Sequence, residues 1–318
     1  MVFPRSLKVI RIYILLLSLT YCLYSNAQYD VHFSHYWAMD SYFNPAAVGK
    51  TDKLNVTAAY SMSLVGFENN PQTFYAGGDI PFYFLNSTHG VGVVLMNDDI
   101  GLFTHKNFAV QYAFHKNLFG GSLGIGVKLG LLSEGFNGTD LDLETPDDPA
   151  FPTADVTGNS MDIGLGVYYS RGDLYAGLSA QHINSPRVEI GEKQEIDVSS
   201  SYYFTAGYNI RLRNPFLSIQ PSMLASTDGV AWRVDLGGRL TYTNDKRKMY
   251  AGLSYSPANS VSLMVGGDFH GVQVGYCYEA YTTAMSLGNG GHEIFIGYQT
   301  TLDLGKKGKN LHKSVRLL

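Results

Sequence analysis

The segment 123–131 alternates without exception between aliphatic residues and small or charged ones. Its odd positions hold Leu123, Ile125, Val127, Leu129 and Leu131, and its even positions hold Gly124, Gly126, Lys128 and Gly130. A period of two predicts a β-strand whose two faces meet different environments. The second face is too small and too polar for the outside of a water-soluble sheet. The pattern therefore favours a membrane barrel, with aliphatic side chains toward lipid and glycine or lysine toward a wet lumen.

The same period of two recurs along most of the chain, which predicts an all-β fold. In several segments charged residues alternate with aliphatic ones, and an unpaired charge in a dry core is costly. We therefore predict that Lys128, Arg233, Asp235 and Arg239 face the lumen. Bacterial outer-membrane barrels have an even number of strands of roughly ten residues. The sequence predicts a transmembrane antiparallel β-barrel of about 14 strands, at 54–65, 71–84, 88–97, 105–118, 121–134, 159–169, 173–183, 202–213, 215–226, 231–243, 247–255, 260–268, 271–281 and 291–303.

The connections between these strands alternate between a long and a short set. The first set comprises 66–70, 98–104, 135–158, 184–201, 227–230, 256–259 and 282–290, although two of its members are short. The second set is uniformly tight, at 85–87, 119–120, 170–172, 213–214, 244–246 and 269–270. Outer-membrane barrels have long extracellular loops and short periplasmic turns. The alternation therefore predicts an extracellular long set, with both ends of the mature chain in the periplasm.

The N-terminus predicts export. Residues 1–27 have the pattern of a secretory signal peptide, with Arg5, Lys8 and Arg11 before an apolar run and a small-residue cleavage site. Removing these three basic residues leaves 20 Lys and Arg against 27 Asp and Glu, a balance that disfavours nucleic acid as a partner. Cys277 is then the only cysteine, which excludes an intramolecular disulfide. No later apolar run approaches the ~18 residues of a spanning helix, so membrane insertion requires strands.

These observations divide the chain into four parts. Residues 1–27 are the predicted signal peptide. Residues 28–53 are rich in aromatic residues and lack alternation, so we expect an irregular segment that packs under the barrel, in the periplasm, or inside its lumen. The outer-membrane β-barrel covers 54–304, and residues 305–318 form a basic periplasmic tail.

Two charged stretches are candidate sites. The loop 135–158 has six acidic residues and no basic one. Such carboxylates suit calcium, but the glycine-turned EF-hand pattern is missing, so we favour a solvated loop and predict no metal site. Lys306, Lys307 and Lys309 lie in a tail without acids, which is either solvated or contacts an acidic periplasmic partner. No nucleophile motif or cofactor motif is present, and we predict a non-enzymatic protein without a cofactor.

Short motifs follow one another in a fixed order through the mature chain. They are His32-Phe33-Ser34-His35-Tyr36, Phe43-Asn44-Pro45-Ala46-Ala47-Val48-Gly49, Pro71-Gln72-Thr73-Phe74, Tyr112-Ala113-Phe114-His115, Tyr175-Ala176-Gly177-Leu178-Ser179-Ala180-Gln181-His182, Gly275-Tyr276-Cys277-Tyr278-Glu279 and Gly291-His292-Glu293-Ile294. In order and number they resemble the PorP/SprF family of type IX secretion and gliding-motility membrane proteins. One departure is Tyr60-Ser61-Met62-Ser63-Leu64, where members usually carry an Arg, Gln and Trp cluster.

The resemblance implies an outer-membrane barrel that works with the type IX secretion machinery. It implies two partners, a periplasmic ring and a large surface protein with a C-terminal sorting domain. We expect the loops 135–158 and 184–201 to hold this cargo. The expected contacts with the ring are Asn44, Pro45 and Gly49 in the N-terminal segment and Lys306, Lys307 and Lys309 in the tail.

Two other functions remain open from the residues alone. A transport barrel for hydrophobic or small polar solutes is the alternative, because the predicted lumen face carries charges. A soluble periplasmic β-protein is a third possibility, which predicts recovery without detergent.

Overall fold

The computed structural model describes residues 30–139, 154–191, 194–244, 247–283 and 288–301. Within these ranges, no helix has the length and apolar character needed to cross a bilayer. Three short helical segments come first, at Tyr36–Ala38, Asp40–Phe43 and Pro45–Ala47. The predicted signal peptide, the tail 305–318 and most of the acidic loop lie outside the described residues.

The alternating segments form strands, as their period of two predicts. The strands are β1 (Lys53–Met62), β2 (Gln72–Phe84), β3 (Ser87–Ile100), β4 (Phe103–Leu118), β5 (Gly121–Phe136), β6 (Val156–Arg171), β7 (Leu174–Gln181), β8 (Arg187–Ile190), β9 (Gln194–Asp197), β10 (Ser201–Tyr208), β11 (Ile210–Arg211), β12 (Leu217–Thr227), β13 (Trp232–Asn244), β14 (Arg247–Ser256), β15 (Ser260–Phe269), β16 (Val272–Tyr281) and β17 (Gly291–Thr301).

Fourteen of these strands close into an antiparallel barrel. Strands β1 to β7 pair in sequence order, β7 pairs with β10, β10 pairs with β12, and β12 to β17 again pair in order. Pairing of β1 with β17 completes the ring, with Ala59 opposite Phe295. Strand β11 extends the edge of β12, and β8 with β9 forms a separate hairpin. The predicted all-β barrel is confirmed, including its number of strands.

One predicted long connection is a tight turn. The sequence suggests a loop at 98–104, but β3 continues to Ile100 and β4 begins at Phe103. The polar run that resembles a loop belongs to the ladder, in which Asp98 pairs with His105. The Thr73 hydroxyl also donates a 2.6 Å hydrogen bond to the buried carboxylate of Asp98. Polar residues inside a barrel wall therefore mimic a loop in the sequence.

The remaining connections separate into two ends of the barrel. One end of the barrel, which we call the long-connection end, carries the connections between β5 and β6, between β7 and β10 and between β16 and β17. The opposite, short-turn end has two-residue turns after β2, β4 and β15. One predicted tight turn, 213–214, is wider than expected: the strand predicted at 202–213 stops at Tyr208, and β11 lies between it and β12.

The outer face of the barrel is apolar and the inner face is largely polar. Ile125, Leu129 and Leu131 of β5 are about half exposed. Lys128 and Asp162, on β5 and the neighbouring β6, are buried. This distribution is the reverse of a water-soluble protein and is typical of a barrel in lipid.

Residues 30–50, which we call the lumen segment, lie inside the barrel. Asp30 contacts His182 in the connection after β7, at the long-connection end. Val48 contacts His115 near the short-turn end of β4. The segment thus crosses the interior and enters β1 at the short-turn end, where Thr301 also lies. The first and last described residues are therefore at opposite ends, whereas the sequence predicted both ends of the mature chain on one side. An irregular segment has no periodicity that would reveal this path.

Candidate functional site inside the barrel

Aromatic side chains attach the lumen segment to the wall. The Phe33 ring packs edge-to-face against Tyr42 and Tyr75, with ring centroids 5.5 and 5.7 Å apart. Trp37 packs in the same way against Phe295 of β17, at 5.8 Å. Edge-to-face aromatic pairs each add about 0.5–1.5 kcal/mol beyond the area they bury. The barrel's core is thus built by its own N-terminal segment.

Asn44 joins the lumen segment to two neighbouring strands. Its Nδ2 atom donates to the carbonyl oxygens of Val167 and Leu178, at 3.0 and 3.3 Å. Its Oδ1 atom accepts from the Ala46 amide at 2.9 Å, which caps the short helical segment that starts at Pro45. Asn44 and Ala46 are both buried. The Asn-Pro pair therefore ends one turn, begins the next and binds the wall at the same point.

Glycines in the strands give the segment room to approach. A Cβ added to Gly166 would lie 2.1 Å from the Asn44 Oδ1 atom, and one added to Gly126 would lie 2.4 Å from the Ala46 amide nitrogen. These strand glycines permit a close backbone approach, which is a recognised reason for glycine inside a strand. Gly126 was predicted to face a wet lumen, and it faces the lumen segment instead.

Gly49 ends the segment in a conformation that favours glycine. Its φ is +66°, and a Cβ there would lie 2.5 Å from the Cα atom of Gly90. Its amide donates to the Asp79 carboxylate at 2.9 Å. The predicted partner residues Asn44, Pro45 and Gly49 thus contact the barrel's own strands in the structure. Lys306, Lys307 and Lys309 lie outside the described residues.

A buried chain of charges crosses one side of the interior. His182 lies between Asp30 and Asp162, with its two ring nitrogens 2.9 Å from the respective carboxylates. Asp162 also pairs with Lys128 at 2.9 Å, and Lys128 donates to Gln181. Two cations alternate with two carboxylates, so the buried charges compensate one another.

The pKa values of the two groups outside the strands agree with this arrangement. Burial alone would lower the pKa of His182, but Asp30 and Asp162 outweigh it and raise that pKa to about 9. Burial alone would raise the pKa of Asp30, but His182 holds it well below its usual value. Asp30 and His182 are therefore both ionised at neutral pH. Through the contact of His182 with Asp162, they link the start of the lumen segment to β6.

A carboxylate of the last strand receives the segment on the other side. Glu293 accepts from the amides of Ser34 and His35 at 2.7 and 2.9 Å, and from His35 Nδ1 at 2.6 Å. Asp235 lies 3.6 Å from the His32 ring nitrogen. Backbone donors that face a barrel interior need acceptors, and these strands supply them.

The four residues predicted to face the lumen all lie on its inner side. Lys128 is paired with Asp162, and Arg233 contacts Asp235 at 3.2 Å. Arg239 stacks over Trp37, with its guanidinium carbon 3.6 Å from the ring centroid. Lys128 and Asp235 are buried among these partners.

Sequence reasoning missed the residues that complete these networks. Asp162, His182 and Glu293 pair with groups that are 20 to 259 residues distant in the chain, and no local pattern encodes such pairs. His182 and Glu293 stand in two of the short motifs, which was the available signal. Within the described ranges, no group of three His, Cys, Asp or Glu side chains is placed to hold a metal ion.

Comparison with known proteins agrees with this architecture. The model of the family described as type IX secretion system membrane protein PorP/SprF matches residues 25–298. No curated protein matches the chain in sequence. The fold is similar to that of the CymD monoaromatic hydrocarbon channel, with a TM-score of 0.55 and 11% identity over 87% of this chain and 95% of that chain. A Pseudomonas aeruginosa FadL homologue has a TM-score of 0.49 and 11% identity over 81% and 92% of the two chains.

Proposed function

Because the chain belongs to the PorP/SprF family of type IX secretion membrane proteins, we propose that it is a non-enzymatic barrel that aids export or surface anchoring of cargo adhesins. It is a β-barrel of the outer membrane. The observation that carries the proposal is the lumen segment, which fills the interior from Asp30 to Val48 through buried hydrogen bonds and aromatic contacts. An interior occupied in this way suits a scaffold better than an open conduit.

We place the cargo contact at the long-connection end, which we take as extracellular. There β8 and β9 form a hairpin fixed on the wall, with Val188 and Ile190 buried against Phe136. Arg187 pairs with Glu195 and Asp197 at 3.0 and 2.7 Å along the exposed side of the hairpin. A fixed hairpin is a better platform for a partner than a free loop, since less order is lost on binding.

We place the contact with a periplasmic ring at the short-turn end. Thr301 ends β17 at the short-turn end, and the basic residues Lys306, Lys307 and Lys309 follow it in the chain. An acidic surface on the ring would attract them. Asn44, Pro45 and Gly49 act indirectly in this proposal, because they hold the lumen segment in place.

Surface display of a co-encoded adhesin tests the proposal. A deletion strain is complemented with the wild-type chain, with a variant whose hairpin 187–197 is replaced by a Gly-Ser linker, and with a control whose turn 257–259 is replaced likewise. We expect display to be lost in the deletion and hairpin strains and retained in the control. Undiminished display in the deletion strain would rule out the anchor role. For the hairpin and control strains, immunoblots first show that each variant is present in the outer membrane.

A transport barrel is the second candidate. The fold that the chain shares with a monoaromatic hydrocarbon channel favours it. Conductance and uptake in liposomes separate the two functions. A sealed barrel supports the anchor, and rapid solute entry through the purified protein supports transport.

A further inference from the structure

A cavity lies between the lumen segment and the wall, in the half of the barrel near the short turns. Its volume is about 290 Å³, close to the lower end of the range for ligand pockets, roughly 300–1,000 Å³. Trp37, Tyr250 and Arg239 line its inner part, and Lys50 and Lys248 are exposed at its mouth. The networks around Asp30 and Glu293 do not use these polar groups.

Four polar atoms in the cavity lining are buried and lack a hydrogen-bond partner in the described part of the chain. They are Trp37 Nε1, Tyr250 OH, Arg239 Nε and Asn55 Oδ1. A buried polar group without a partner costs about 1–3 kcal/mol. Several such groups around one cavity indicate a ligand that completes them, and three of the four are donors. A ligand that pairs with these groups would therefore be rich in acceptors.

Arg239 is the group best placed to receive that ligand. Its guanidinium carbon lies 3.6 Å from the Trp37 ring centroid, and it forms no ion pair within the described ranges. Stacking uses the flat face of the guanidinium and leaves the edge N–H groups free, which match a carboxylate in two-point contact. The Tyr250 ring centroid is 5.2 Å from that of Trp37, so a second donor lies beside the same indole.

Most of the other charges of the cavity have partners of their own. Lys50 pairs with Asp40, and Asp79 accepts from the Gly49 amide. Asp268 lies opposite Lys248 in the ladder and accepts from the Gly271 amide at 2.9 Å. Arg239 forms no ion pair with a described residue, and the carboxylate whose charge reaches it, Asp40, is paired with Lys50. We propose that this cavity binds a small organic carboxylate, received by the Arg239 edge with Trp37 Nε1 and Tyr250 OH as further donors.

The two tryptophans of the sequence give a direct test. Trp232 is exposed on the outer face, so Trp232→Phe leaves Trp37 as the sole indole reporter. The full chain with this substitution is refolded in detergent and titrated with cyclohexanecarboxylate and with the neutral cyclohexanecarboxamide. We expect a saturable change in Trp37 fluorescence with the carboxylate, and binding at least roughly tenfold weaker for the amide, which lacks the charge-assisted bonds.

Two substitutions in the Trp232→Phe background identify the receiving group. Arg239→Gln is expected to weaken carboxylate binding by roughly tenfold or more, whereas Arg247→Gln, at the same end but outside the cavity lining, leaves it unchanged. If Arg239→Gln does not refold, Tyr250→Phe removes one donor and keeps the ring, and a severalfold weaker affinity is expected. Equal binding of carboxylate and amide, no saturable signal, or full affinity in these cavity variants would overturn the proposal. It does not depend on the anchor role, which is assayed separately by surface display.

Discussion

Asp30 and His182 are separated by 152 residues in the chain, yet their side chains meet inside the barrel, with Nε2 of His182 2.9 Å from a carboxylate oxygen of Asp30. Asp162 binds the other ring nitrogen at the same distance. The imidazolium is thus held between two carboxylates, one from the lumen segment and one from the wall. Its protonation therefore governs how firmly the start of the segment is attached.

The first prediction is a loss of stability at alkaline pH. The pKa of His182 is about 9 in the folded protein and about 6.5 when unperturbed. A raised folded-state pKa contributes stability that is fully present below about pH 6.5 and is lost as the pH rises through about 9. Urea unfolding of the protein in lipid vesicles should therefore show a decrease on the order of 2 kcal/mol across this window.

The substitution His182→Asn should flatten this pH dependence. His270→Asn is the matched control, because His270 also has a positive φ but lies in an exposed turn. An unchanged pH slope in His182→Asn would assign the effect to another group.

The second prediction concerns the glycines that receive the lumen segment. Gly126→Ala places a methyl group 2.4 Å from the Ala46 amide nitrogen, so the segment must shift. We expect the free energy of unfolding in urea to fall by roughly 1–3 kcal/mol, as for other overpacked interiors. We also expect faster proteolysis of the segment. Gly238→Ala is the control, since no atom lies within 4 Å of a Cβ there. Equal effects of the two substitutions would contradict close docking.

The third prediction tests the buried charge pair. Lys128→Met leaves Asp162 with one cation instead of two, and breaking a buried pair costs roughly 3–5 kcal/mol. His182 remains, so we expect the lower end of that range. Adding Asp162→Asn should restore part of the loss, because the uncompensated carboxylate is then removed. Lys116→Met, at an exposed position of β4, should have little effect on the same unfolding curve.

The fourth prediction tests the lipid-facing surface. Leu129 is exposed in the middle of β5, and Leu85 is exposed in a short turn. An arginine at the bilayer midplane costs roughly 2–4 kcal/mol, and one near the interface about 0–1. Leu129→Arg should therefore reduce folding into vesicles far more than Leu85→Arg. Similar folding yields would mean that the outer face of β5 does not meet lipid.

The sequence was informative where physical constraints are local. Alternation along a strand depends only on neighbouring residues, so Leu123 to Leu131 predicted the face of Lys128 and the wall as a whole. It could not predict that Asp162 is the partner of Lys128. That pairing depends on the register of two strands and on a lumen segment without periodicity. The same limit explains why Gly126 was assigned to water: a glycine fits a wet surface and a tight contact equally well.

The contact of Ser34 and His35 with Glu293 also bears on biogenesis. The ribosome makes these two residues more than 250 positions before the carboxylate that accepts their amides. A nascent or truncated chain without β17 has no acceptor to offer them. The docking of Ser34 and His35 and the closure of the barrel by pairing of β1 with β17 therefore depend on the same last strand.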